Sequence, residues 1–96
     1  MPDRSISITG VRLFSGSWRN LQSGLVGWVT FVVDGTFRVD GVALRRTLCG
    51  RLALSYPIRK YAGESEYYIV RPADDESRRE VERQIFEALG LKELVA

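Results

Sequence analysis

The stretch from 27 to 57, GWVTFVVDGTFRVDGVALRRTLCGRLALSYP, restricts what this chain can fold into more than any other. It reads as two strands joined by a tight turn, then a third reached through an arginine-bearing loop. Val, Trp and Phe crowd 27–33, and these side chains suit a pleated, largely buried strand. Asp34-Gly35 is the dipeptide that tolerates the positive φ angles of a two-residue hairpin turn. Phe37, Val39, Val42 and Leu44 continue as the next strand, and the Asp40-Gly41 inside it reads as a bulge or a bend. The rest of the chain is expected to pack against this sheet or decorate it.

Ahead of that stretch, Ile6, Ile8, Val11 and Leu13 alternate along 5–14 as a first strand, bent at Gly10. The polar segment 15–24, SGSWRNLQSG, reads as a surface loop or a wide hairpin connection. Trp18 within it has two readings. It can stack on an exposed base beside Arg19, or fold over the sheet edge as a lid, which is the favoured one. Downstream, 52–56 is the fourth strand, ended by Pro57, which has no N–H for the ladder. A turn at 62–65 leads to a fifth strand, EYYIV at 66–70, closed by Arg71-Pro72.

The C-terminal helix is the plainest element. Asp74, Asp75 and Ser77 are cap candidates, and Ser77 with Glu80 has the spacing of a capping box. Val81, Ile85, Ala88 and Leu89 fall on one face with Phe86 widening it, Arg83 can pair with Glu87, and Gly90 stops the helix. The expected fold is α+β. It is a single small domain over 1–96, an antiparallel sheet of four to five strands with a C-terminal α-helix packed on it.

Ninety-six residues hold only a modest core, so a homodimer that hides more apolar surface is expected. No apolar run approaches the ~18 residues of a membrane span. The N-terminal MPDRSISITG lacks the apolar core of a signal peptide, and Cys49 is the single cysteine, which together predict a cytoplasmic protein. The chain has no histidine, the commonest general base and metal ligand. One cysteine without histidine does not make a structural zinc site, and no phosphate loop or dinucleotide fingerprint is present. Asp34 and Asp40 flank the hairpin turn as backbone caps rather than an acid/base pair. Nothing around Lys60 predicts the desolvation that a nucleophilic lysine needs. The expectation is no catalytic residue, no cofactor and no metal.

Net charge is only +2, but its distribution is uneven. From 38 to 71 there are seven basic residues against three acids, whereas 72–96 holds four basic and seven acidic. A basic sheet followed by an acidic helix suggests an anionic partner at the sheet or its loops, weighed equally against simple solubility of a half-exposed sheet. Arg45, Arg46 and Arg51 share one loop, a cationic fork suited to bidentate phosphate contacts. The alternative for that loop is protection of a sheet edge against further pairing.

Tyr56-Pro57, then Arg59-Lys60, a Gly63-Glu64 turn, Ile69, and Pro72 just before the helix follow one another in a specific order. Phe37-Arg38-Val39 and Gly50 precede them. In order and spacing the chain resembles the SpoVG family, small bacterial regulators named for sporulation and septation, from Val11-Arg12-Leu13 to Leu89. It departs from that family in a segment one residue longer between Phe37 and Pro57, with a tip richer in arginine. Arg71 also stands where the family has a histidine, and Asp74-Asp75-Glu76-Ser77 replaces a Ser/Thr-rich helix start. The resemblance implies a homodimeric, cytoplasmic protein that binds nucleic acid, DNA or RNA, to regulate gene expression or cell division. Arg59 and Lys60 match basic positions of the family's block, while Arg45, Arg46 and Arg51 are added from charge alone. These five are the expected nucleic-acid contacts. The alternative function is a non-enzymatic interaction adaptor whose sheet edge or acidic helix engages a division or regulatory protein.

Overall fold

The computed structural model describes residues 5–60, 62, 63 and 65–91. Asp34 and Gly35 take φ angles of 51° and 65°, and Thr36 N donates to Val33 O at 2.9 Å. This is the primed turn that Asp-Gly predicts. It joins β2 (Leu25–Val33) to β3 (Phe37–Arg46). Ahead of them come β1 (Ile8–Ser15) and the short α1 (Trp18–Gln22). After them come β4 (Leu52–Ser55), β5 (Ile58–Lys60), β6 (Glu66–Tyr68) and α2 (Asp75–Ala88).

The four long-range strands form one antiparallel sheet in the order β1-β2-β3-β4. Of three register shifts, two fall where the sequence has Gly10-Val11 and Asp40-Gly41, each adding one residue opposite β2, and the third adds Val26 of β2 opposite β3. The inner Asp-Gly is therefore a bulge, not a turn, and such bulges increase local twist. The fifth expected strand does not join this sheet. Residues 66–68 pair instead with 58–60 as a separate two-stranded ribbon. Pro57 separates β5 from β4, and the ribbon's substantial contacts are within itself. Of the turn expected at 62–65, Glu64 lies outside the described residues, as does Tyr61 of the segment before it.

One face of the sheet is dry. Val29 and Phe31 of β2, Val42 and Leu44 of β3 and Leu52 of β4 pack against Val81, Ile85 and Phe86 of α2. Each fully buried side chain of this size contributes about 1.5–3 kcal/mol from leaving water. Asp74 caps α2, its Oδ1 accepting from Ser77 N at 2.8 Å, so the Ser77–Glu80 capping box does not form. Ala88 is exposed and Phe86 takes its place in the core. Past Gly90, Leu91 N donates to Phe86 O at 2.8 Å and closes the helix end.

Gln84 ties α2 to the start of the chain. Its Oε1 accepts from Ile8 N at 2.8 Å and its Nε2 donates to Ile6 O at 2.7 Å, replacing the strand partner that the outer edge of β1 lacks. The 15–24 segment also differs from the loop expected there. Ser17 and Asn20 satisfy each other's backbone N–H groups, a capping box that starts α1. Asparagine in place of the usual Glu or Gln hides that signature in the sequence. Trp18 on this helix is 66 % exposed and forms no lid.

Candidate nucleic-acid interface

Residues directly opposite in an antiparallel pair project to the same face, and alternate residues share it. Phe14, Trp28, Ala43 and Ser55 are consecutive partners across β1, β2, β3 and β4, so they form one row. With α2 on the other side, this row lies on the open face. Arg12 pairs with Thr30 on one side of the row, and Arg38 pairs with Val32 one step beyond. On the other side of the row, Arg45 pairs with Ala53. All three arginines are exposed. Among the described residues no hydrogen bond or ion pair holds their guanidinium groups.

Two features shape this face. Thr30 is buried, with Oγ1 in hydrogen-bond reach of Val39 O at 3.0 Å and of the Asp40 carboxylate. The one acid in the bulge is thus engaged within the sheet. At Gly27 a Cβ would stand 2.3 Å from Phe14 O, so only glycine lets β1 lie this close beside the Phe14–Trp28 pair.

The four arginines and one lysine expected from sequence do not come together. Arg45 is on the open face. Arg46, one residue on, faces the helix side at the sheet's end, its Nη1 donating to Gly50 O at 3.4 Å. Arg51 is exposed just before β4, in a tip ordered by Thr47 N donating to Arg51 O at 2.8 Å and Arg51 N donating to Thr47 Oγ1 at 3.2 Å. The fork is splayed over two faces. Arg59 and Lys60 sit on β5, beyond the far end of β4, and Lys60 Nζ lies 3.5 Å from Glu66. Arg12, Arg38, Phe14 and Trp28 were not among the sequence candidates. Their signal is the alternation Arg12-Leu13-Phe14, with Leu13 packed on the core and its neighbours outside.

The helix side has the opposite character. Arg78 pairs with Asp75 at 3.7 Å and Glu82 at 3.1 Å, and Arg83 with Glu80 at 2.6 Å and Glu87 at 3.1 Å. The Arg83 hydrogen bond, then that from Gln84, hold the Glu80 carboxyl down to about 2. These guanidiniums are occupied by the helix's own carboxylates. A cleft of about 980 Å³ between the β4 edge and α2 is lined by Arg51, Leu52, Arg78, Arg83, Phe86 and Leu91 among others, and its charge is mixed. Among the described residues no three His, Cys, Asp or Glu side chains converge as a metal site requires, and no helix is long and apolar enough to cross a membrane.

No family model matches this chain, and no curated protein matches its sequence.

Proposed function

We propose that the chain is a nucleic-acid-binding regulator of the kind its resemblance to the SpoVG family implies, a non-catalytic cytoplasmic homodimer that binds DNA or RNA. The observation that carries this reading is the segregation of charge. Among the described residues Arg12, Arg38 and Arg45 stand unpaired on the open sheet face, while the acidic helix occupies the other. A surface on which three arginines outnumber the Asp40 carboxylate draws a polyanion and orients it. Arg46 and Arg51 extend the cationic surface at the tip, and Arg59 and Lys60 on the ribbon form a second, separate group of phosphate contacts. Arginine predominates, which suits bidentate recognition of phosphate. Groups that read base edges are few on this face, so sequence preference is weak or shape-based.

The test is binding measured by fluorescence anisotropy at about 50 and 200 mM salt, where several phosphate contacts require at least a tenfold loss of affinity. Arg12→Ala with Arg45→Ala should flatten the salt dependence by about 0.7–0.9 per contact removed. Replacing Arg59 and Lys60 together by Ala should weaken binding across all sequences while leaving folding intact. Unchanged binding in either pair removes that pair from the interface. No binding at the lower salt, with a protein partner co-purifying, would favour the adaptor reading.

A further inference from the structure

The geometry points to the open sheet face as a stacking platform for unpaired bases, so that the ligand held there is a single-stranded segment of nucleic acid rather than a duplex. The inference rests on the nucleic-acid reading above and names the strand form and the residues that select it.

Phe14 on the edge strand β1 and Trp28 beside it on β2 are cross-strand partners on this face, 57 % and 40 % exposed. Two large aromatic side chains left side by side in water on a sheet face cost free energy unless something covers them. Beyond Trp28 the row continues as Ala43 and Ser55, with Ala53 on the next row. At about 4.8 Å per strand, β3 and β4 offer some 10 Å of low relief beside the indole. A base can lie there against the ring without meeting a large side chain.

The charges have the matching arrangement. Arg12 lies two residues from Phe14 on one side of the aromatic row, and Arg45 lies two residues from Ala43 on the other, each about 7 Å along its strand. Arg38 continues the first side. Bases over the aromatic row thus leave their phosphates beside guanidinium groups on both flanks. This combination of basic track and aromatic platform suits single strands, because every base has a stackable face. A duplex keeps those faces inside its own stack and offers the platform nothing.

A second copy of the chain fits the face poorly. A two-fold contact brings the same patch together, setting Arg12, Arg38 and Arg45 against their own copies.

The test compares anisotropy titrations of a single-stranded oligonucleotide and the matching duplex with the full-length chain, its Trp28→Ala and Phe14→Ala variants, and Trp28→Phe. Melting temperatures confirm that these surface changes leave folding intact. Single strand is expected to bind tighter than duplex, and Trp28→Ala should weaken it by roughly 5- to 150-fold, the range for one lost base stack. Trp28→Phe retains most of the affinity, and duplex binding is unmoved by any of the three. Equal affinity for both forms, untouched by the aromatic variants yet lowered by Arg12→Ala with Arg45→Ala, overturns the platform and leaves the broader reading standing. Variants that break a dimer without changing binding also overturn it, showing that the face is covered by a second copy. No binding of either form at low salt removes both readings.

Discussion

At the scale of single residues, Tyr56 shows how a buried polar atom sets a stability limit. Its ring packs against the core, and its hydroxyl is buried without a hydrogen-bond partner. Burial first, then the charge of Glu82, push its pKa from 10.0 up to about 12, with Arg78 opposing. The folded state holds this proton more tightly than the unfolded chain does. The contribution is therefore complete below pH 10 and is lost as pH rises from there through about 12. Tyr56→Phe keeps the ring and removes the orphaned hydroxyl. Urea unfolding at neutral pH should show stability unchanged or raised by about 1 kcal/mol, and the variant should lose less on moving into the alkaline window. A loss of more than about 1 kcal/mol at neutral pH would show that the hydroxyl makes a bond worth keeping. In the sequence Tyr56 is the end of a strand, because neither the burial nor the Glu82 charge that raises its pKa is visible in its own segment. Arg12 and Arg38 were hidden for a similar reason. Alternation separates the two faces of a strand, but only the docking of α2 decides which face stays wet.

At the scale of elements, legibility follows the length of the pattern. The Asp34-Gly35 turn, the long strands beside it and α2 carry strong local signals, and each stands where those signals put it. The bulge at Asp40-Gly41 was one of two readings, chosen by the pairing of Val29 with Val42 and Phe31 with Val39. What the sequence blurred is short. The five residues of α1 rest on a cap made by Asn20, and the three-residue strands of the ribbon have too few positions for a period to show. The ribbon also bears on assembly. Ile58, Tyr68, Ile69 and Val70 are exposed on or beside it, and a two-stranded hairpin without further cover is marginal in water. The homodimer proposed above would use this ribbon as its contact. Sedimentation at micromolar concentration should then show twice the monomer mass. Ile58→Ser with Ile69→Ser should weaken that dimer by at least about tenfold, the equivalent of 1.4 kcal/mol. A wild-type chain that sediments as a monomer, or a dimer indifferent to both changes, would place the contact elsewhere or remove it.

At the scale of the whole molecule, the fold is a slab of 45 × 39 × 24 Å, its thin dimension being one sheet and one helix. In the helix layer Arg78 and Arg83 are held by the helix's own carboxylates, whereas among the described residues Arg12, Arg38 and Arg45 of the open sheet face have no such partner. The proposed binding of a polyanion rests on that difference and not on a pocket. Charge counted along the sequence indicates a basic middle and an acidic end, which is as far as composition reaches. The sheet then spreads the middle over two faces and a ribbon, so only part of the basic stretch shares one surface. The measurement that tests this most directly is a titration of the ¹⁵N-labelled chain with a short single-stranded oligonucleotide, followed through backbone amide shifts. The account predicts that the largest changes fall on Arg12, Phe14, Trp28, Arg38 and Arg45, with Asp75–Ala88 of α2 nearly still. Changes concentrated along α2 with the sheet face silent would contradict it.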